Sequence, residues 1–191
     1  MKIFIVNPPH LAIGSRIPKE QLPPLGLLSV GGSLIDVGHE VALLDAEIGP
    51  LSHDEIVRRV LLHHPQVLLI GHSGSTSAHP IVSELTKQFR AVLPHLIIIY
   101  GGVFPTYHYR EILAQEPQID VVVRGEGEAT APKLLAAIEN GEWPLLKSSF
   151  VFDRNDWPIP VFKILHPITE KYFAVVYDDT LQNDERYGID K

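Results

Sequence analysis

The sequence predicts an α/β fold built on a parallel sheet, and two observations lead to this prediction. Short runs of apolar, β-branched residues, such as 67–70, 96–100 and 119–123, alternate along the chain with stretches of helical periodicity. Apart from Asp120, these runs are apolar at every position, which is typical of parallel strands covered by helices on both faces. We therefore expect strands and helices to alternate, with each helix crossing over the sheet.

The beginning of the chain contains the first two strands. Residues 2–7 form the first strand, which ends at Pro8-Pro9. After a loop rich in glycine, serine and proline, a helical pattern follows Pro24 and ends at Gly38. Glycine suits this position because the residue that ends a helix often adopts a left-handed conformation. Residues 40–45 then form the second strand.

The second and third helices flank the third strand. Ser52 and Glu55 have the spacing of a capping box, which predicts that a helix begins there. Apolar residues follow at helical spacing, and the helix stops before Pro65. The third strand, 67–70, leads into a polar turn and then into a helix over about 77–93.

The last predicted strands and helices complete the sheet. The fourth strand, 96–100, ends at Gly101-Gly102 and is followed by a short helix over 109–115. The fifth strand, 119–123, precedes a helix that ends near Asn140-Gly141. Five strands with short connections predict a doubly wound, five-stranded parallel sheet of the Rossmann-like or flavodoxin-like type, with helices on both faces.

The sequence changes character after Gly141. Prolines at 144, 158, 160 and 167 interrupt every candidate element, and residues 178–191 are strongly polar. We expect at most short strands at 149–152 and 172–177. The chain is therefore divided into a domain of residues 1–141 and an irregular C-terminal segment, 142–191, that serves as a linker or appendage.

Composition excludes several classes of function. The formal charge of −7 argues against a nucleic-acid partner, since such binding depends on clustered Lys and Arg. No apolar run approaches the ~20 residues of a membrane-spanning helix, and we expect a cytoplasmic protein. The chain has no cysteine, so it can form no disulfide, no thiolate zinc site and no Cys-ligated iron–sulfur cluster.

Three polar or glycine-rich turns follow predicted strands, and such turns meet at the carboxyl edge of a parallel sheet, where ligands bind. The turn 71–77 carries more hydroxyls than the single one that caps a helix. Gly101-Gly102 either leaves bare backbone for a planar ligand or simply makes a tight turn. Glu126 and Glu128 either accept hydrogen bonds from a ligand or are ordinary charges at a helix N-terminus.

Four motifs together resemble one known family. They are Pro23-Pro24-Leu25-Gly26, Gly38-His39, the run 101–106 (Gly-Gly-Val-Phe-Pro-Thr) and the run 123–128 (Val-Arg-Gly-Glu-Gly-Glu). In this order and spacing they resemble the N-terminal cobalamin-binding domain of B12-dependent radical S-adenosylmethionine enzymes. Within that family, the chain is similar to the branch of anaerobic magnesium-protoporphyrin IX monomethyl ester cyclases. The resemblance covers about residues 1–141.

The resemblance implies a cobalamin site at the carboxyl edge of the sheet. The corrin would rest on this edge, and the nucleotide tail would run down between the loops. The implied cofactor-binding residues are Ser73, Ser75, Thr76, Gly101, Gly102, Val103, Thr106, Glu126 and Gly127. His10 is the candidate axial ligand of cobalt, although Asn7-Pro8-Pro9-His10 only approximates the D-x-H-x-x-G pattern of the methionine-synthase type of B12 domain, and many radical enzymes of this class lack the ligand; the alternative is a histidine in a surface loop.

The chain departs from the family in lacking the CxxxCxxC motif that holds a [4Fe–4S] cluster. We therefore assign no catalytic residue, and expect a cobalamin-binding module that works with a radical S-adenosylmethionine catalytic domain or subunit. Two alternatives remain open at this point. One is a stand-alone hydrolase or transferase that uses the Ser73 loop and a nearby histidine. The other is a degenerate regulatory domain.

Overall fold

The structure is a computed structural model that describes residues 1–9, 23–48, 50–72 and 78–141, together with the backbones of two later strands. Strands and helices alternate through most of this length. In chain order they are β1 (Lys2–Asn7), α1 (Leu25–Asp36), β2 (Glu40–Asp45), α2 (His53–His63), β3 (Val67–His72), α3 (His79–Val92), β4 (Ile97–Gly102), α4 (Val103–Gln115), β5 (Val121–Val123), α5 (Gly127–Glu139), β6 (Val161–Leu165) and β7 (Tyr172–Val176).

The first five strands form the predicted parallel sheet. Their order is β2-β1-β3-β4-β5, and each pairs in parallel with its neighbours. The chain therefore moves outward from β1 first to one side and then to the other, which is the doubly wound arrangement. In such a sheet the point where the strand order reverses, here beside β1 and β3, opens a crevice at the carboxyl edge.

Two further strands extend the sheet beyond β5. The backbone of β7 pairs in parallel with β5, and β6 pairs antiparallel with β7. The strand expected at 172–177 is close to β7, whereas β6 was not predicted from the sequence. Pro160 and Pro167 lie on either side of β6, so these prolines bound a strand rather than prevent one. The strand expected at 149–152 lies outside the described residues.

Helices cover both faces of the sheet, as predicted. On one face, α2, α3 and α4 cover side chains that include Phe4, Ile70 and Tyr100. On the other face, α1 and α5 cover Ile5 and Leu69. Because successive side chains of a strand point to opposite faces, the neighbours Leu69 and Ile70 belong to different halves of the core.

The main difference from the predicted elements lies at the end of β4. This strand continues through Gly102, and α4 begins at once with Val103, six residues earlier than expected. Pro105 does not prevent this, because the amide groups of a helix's first turn have no partner within the helix. The backbone at His108 is not helical (φ −111°, ψ 23°), so a kink divides α4 into two parts.

The predicted helix ends are largely confirmed. The Ser52 hydroxyl accepts a hydrogen bond from the Glu55 amide at 3.3 Å and caps α2. The Glu55 carboxylate does not complete the capping box; instead it binds Arg58 and Arg59. Gly38, which follows α1, has a positive φ of 92°, as the sequence predicted.

A buried polar cluster lies between α3 and the end of α4. The Glu116 carboxylate accepts hydrogen bonds from the Ser83 hydroxyl at 2.7 Å and the Gln118 amide at 2.6 Å. Burial alone would raise the pKa of Glu116, but these bonds and the nearby charges of Lys87 and His79 hold it below its ordinary value. The cluster thus keeps a carboxylate charged in a largely dry environment.

His79 borders this cluster, and its environment leads to a prediction about the stability of the fold in acid. Its ring lies 4.5 Å from that of Phe104, centroid to centroid, and parallel to that of Tyr100. Burial lowers the pKa of His79 from 6.5. Charge interactions with His108 and Lys87 lower this pKa further, whereas the Glu116 carboxylate raises it, and the net shift is downward. The unfolded chain therefore takes up a proton at this residue more readily than the folded chain does.

We expect the free energy of unfolding to fall as the pH drops below about 6.5, and His79→Phe to flatten this part of the profile. Phenylalanine keeps the ring contacts and removes the proton site. Urea denaturation between pH 5 and pH 8 measures the effect. The matched control is His95→Phe, which replaces an exposed histidine. Equal changes in both variants would show that the environment of His79 is not responsible.

Candidate functional site

A cavity of about 430 Å³ opens at the carboxyl edge of the sheet, where β3, β4 and β5 end. The N-terminal parts of α1, α4 and α5 complete its walls. Its lining includes residues of four segments that belong to the motifs of the sequence analysis, 23–26, 71–72, 101–106 and 123–128, together with residues of the adjoining strands and helices. The chain topology therefore brings motifs far apart in sequence to one place.

The floor of the cavity is apolar and its rim is partly polar. Leu69, Ile99 and Val123 form the buried floor on the face of the sheet that α1 and α5 cover. On the rim, Val103 and Tyr107 expose about half of their surface, at 51% and 59%. Apolar surface with a few polar groups at its border is typical of sites that bind small molecules.

Glycines at the ends of β3 and β4 let these strands approach each other closely. A Cβ atom on Gly71 would lie 2.6 Å from the carbonyl oxygen of Gly101. A Cβ atom on Gly102 would lie 2.6 Å from the carbonyl oxygen of His72, and Gly102 also has a positive φ of 117°. The fold itself therefore requires glycine at 71 and 102, which favours the tight-turn interpretation of Gly102.

Gly101 is different, because no neighbour among the described residues requires a glycine there. Within that part of the chain, a Cβ atom at this position would meet only Val123, at an ordinary contact distance of 3.9 Å. Gly101 also borders the cavity. Its missing side chain therefore leaves backbone open to whatever occupies this space.

The Thr106 hydroxyl joins two of the turns on the rim. It donates a hydrogen bond to the Gly102 carbonyl at 2.8 Å and accepts one from the Gly125 amide at 3.2 Å. Thr106 is 8% exposed. The sequence analysis predicted Thr106 as a cofactor-binding residue; in the structure its hydroxyl holds the turn after β4 against the turn after β5.

Arg124 supports the contact between the turn after β4 and the turn after β5. The sequence analysis did not predict it as a site residue. Its Nε donates a hydrogen bond to the Thr106 carbonyl at 2.9 Å, and its guanidinium lies 4.2 Å from the ring centroid of Tyr109. The residue is only 7% exposed. The available signal was an arginine placed directly after a fully apolar strand, where a charge is rarely buried without a specific role.

The remaining rim residues come from the start of α5 and the end of β3. Glu126 is exposed, and its side chain makes no capping hydrogen bond to α5. Gly127 lets α5 approach α1, because a Cβ atom there would lie 2.8 Å from Val30. His72, also missed in the sequence analysis, is 3% exposed and borders the cavity. No feature of the local sequence distinguishes it from the other histidines.

The structure brings together all the predicted site residues that it describes. Gly101, Gly102, Val103, Thr106, Glu126 and Gly127 all border the cavity. Ser73, Ser75, Thr76 and His10 lie outside the described residues. Among the residues that are described, no three His, Asp or Glu side chains are arranged to hold a metal ion. Nor is any helix in this part of the chain long and apolar enough to span a membrane.

The fold and the cavity define an α/β ligand-binding domain whose site lies at the carboxyl edge of a doubly wound sheet. Residues 17–135 match the family described as the B12 binding domain, and the chain belongs to that family. This match confirms the resemblance that the four sequence motifs indicated.

Relatives of known name carry this domain within longer chains. Over 140 residues the chain is 72% identical to the anaerobic magnesium-protoporphyrin IX monomethyl ester cyclase of Synechocystis sp., of which it spans 28%. Over 139 residues it is 33% identical to the hopanoid C-3 methylase of Methylococcus capsulatus, of which it spans 26%. These stretches correspond to 73% and 72% of the present chain.

A solved structure shares the fold. The radical S-adenosylmethionine methyltransferase TsrM from Kitasatospora setae, solved with cobalamin and a [4Fe–4S] cluster bound, superposes with a TM-score of 0.62. The match covers 73% of this chain and 26% of TsrM, at 18% sequence identity. At this identity the likeness supports the fold alone.

The two adjacent glycines of β4 allow a direct test of why Gly102 is required. We expect Gly102→Ala to lower the free energy of unfolding by about 1–3 kcal/mol, because alanine is strained at positive φ and its Cβ would meet the His72 carbonyl. Gly101→Ala is the matched control and should have little effect. Chemical denaturation of both variants measures the difference, and equal losses would contradict the explanation.

Proposed function

We propose that this domain binds cobalamin, with the corrin at the carboxyl edge of β3, β4 and β5. The observation that carries the proposal is the cavity at this edge in a chain that belongs to the B12 binding domain family. All the predicted site residues that the structure describes border this cavity. The proposal therefore rests on geometry and on family membership together.

The residues around the cavity are chemically suited to this cofactor. The apolar floor of Leu69, Ile99 and Val123 suits a flat heterocycle such as the nucleotide base of cobalamin. At Gly101 a planar group can approach the backbone, since glycine itself carries no side chain there. The carboxylate of Glu126 on the rim can accept hydrogen bonds from amide groups at the corrin periphery.

Each group of residues would have a separate role in holding the cofactor. Gly101, Gly102 and Val103 would support the corrin from below, and Thr106 and Gly127 would maintain the shape of the rim. We also propose that the hydroxyls of Ser73, Ser75 and Thr76 bind the nucleotide tail, and that His10 is the candidate axial ligand. Bound cobalamin supplies the reactivity of its cobalt, whereas the protein supplies placement and exclusion of water.

We further propose that the chemistry is completed by a radical S-adenosylmethionine domain or subunit. The chain has no cysteine with which to hold an iron–sulfur cluster. The relatives that it matches are more than three times as long as the matched stretch. This domain would then hold the cofactor, while residues of another domain or subunit would bind the substrate.

Titration with hydroxocobalamin, followed by visible absorption, tests the proposal. We expect saturable binding with the lower base displaced from cobalt, because the apolar floor can hold that base. Gly101→Leu should weaken binding at least about tenfold by filling the cavity, which corresponds to ~1.4 kcal/mol. Gly32→Leu, at an exposed glycine of α1 outside the cavity, should bind as the unaltered protein does.

Each outcome of this titration has a distinct meaning. Absence of saturable binding by the unaltered protein would reject the proposed function. It would favour a hydrolase or a degenerate regulatory domain instead. Binding with the base still coordinated would reject only the displaced base. Equal binding by Gly101→Leu and the unaltered protein would show that the cofactor lies elsewhere.

We propose that residues 1–141 are sufficient for the fold and for cobalamin binding. The described residues that border the cavity all precede Gly141, and so do the first five strands. A chain ending at Gly141 should therefore fold and bind, although loss of β7 exposes the edge of β5 and should lower the melting temperature. Circular dichroism and the same titration test this. A folded but non-binding product would place part of the site within 142–191.

A further inference from the structure

We infer that Arg124 is a positioning residue for the cofactor site, and that it holds the turn after β4 and the turn after β5 in one fixed arrangement. The inference rests on the proposed function, because it concerns how the rim of that site keeps its shape. It assigns to Arg124 a role that is separate from direct contact with the cofactor.

The first step of the argument is the position of Arg124 between two parts of α4. Its Nε binds the Thr106 carbonyl before the kink at His108, and its guanidinium lies over the Tyr109 ring after the kink. Because the helix is interrupted at His108, its second part does not by itself determine where its first turn lies. Arg124 contacts both parts and so sets the position of one relative to the other.

The second step is the connection from Thr106 to the rim of the cavity. The Thr106 hydroxyl donates a hydrogen bond to the Gly102 carbonyl and accepts one from the Gly125 amide. Gly102 and Gly125 are the glycines of positive φ in the two turns, with φ of 117° and 73°. A displacement of Thr106 would therefore change both turns, and with them the separation of Val103 and Glu126 across the cavity.

The third step explains why this position requires arginine. The guanidinium is planar, so one side chain can lie flat over an aromatic ring while its Nε–H points to a carbonyl. Lysine has the charge but neither the planar group nor the Nε–H. The substitution Arg124→Lys therefore removes the geometry and keeps the charge.

The test measures cobalamin dissociation from the unaltered protein and from Arg124→Lys at a temperature at which both are folded. We expect dissociation to be at least about tenfold faster in the variant, with the association rate nearly unchanged, because loosened contacts act mainly on dissociation. Arg110→Lys is the matched control. Arg110 is exposed, lies 5.6 Å from the same Tyr109 ring, and binds the Tyr109 hydroxyl rather than either turn.

A result in which Arg124→Lys lowers the melting temperature but leaves dissociation unchanged would overturn the inference, since the residue would then contribute to stability alone. Equal acceleration by Arg110→Lys would overturn it as well. If Arg124→Lys does not fold, Thr106→Val tests the next step of the argument, because valine replaces the hydroxyl that joins Gly102 to Gly125 with a methyl group and keeps the carbonyl that Arg124 binds. Unchanged dissociation in Thr106→Val would overturn the inference.

A second measurement does not depend on cobalamin and separates this inference from the proposed function. We expect Arg124→Lys and Thr106→Val to speed hydrogen exchange at the Gly125 amide more than in the centre of α3. If the unaltered protein binds no cobalamin but this local effect is found, the proposed function fails and the coupling of the turns stands. Uniform acceleration of exchange across the domain would reject the coupling.

Discussion

The close approach of β3 and β4 at their carboxyl ends is the constraint on which the rest of the site depends. Gly71 and Gly102 leave no room for a Cβ atom between these strands, so the two backbones lie against each other up to the start of α4. Because β4 then enters the helix without a loop, Val103 and Thr106 are carried directly onto the rim of the cavity. A strand pair that separated earlier would leave this edge without a defined shape.

The two faces of the sheet differ in how completely their cores are filled near this edge. On the face of α2, α3 and α4, Tyr100 is fully buried and the rings of His79 and Phe104 stack beside it. On the face of α1 and α5, small residues such as Gly127 and Ala131 stand where the helices meet the edge. The cavity at the carboxyl edge opens on the face of the sheet that α1 and α5 cover.

Membership of the B12 binding domain family is the basis of the function proposed for this cavity. The relatives that share the domain include a cyclase and a methylase, and each is several times longer than the part that matches. A shared domain within proteins of different named activities fits a module that holds a cofactor while the reaction is defined elsewhere. The proposed division of labour also agrees with a chain that has no cysteine of its own.

The sequence by itself determined the alternation of strands and helices, the parallel sheet and the edge where the motifs meet, because these follow from local periodicity and from glycines at strand ends. It missed β6, the early start of α4, and the buried contacts of Arg124. Only the tertiary structure decided that the His72 carbonyl leaves no room for a side chain at Gly102. It also decided that Arg124 binds Thr106, 18 residues away. Such contacts join residues from different elements, and local pattern carries no information about which of them will meet.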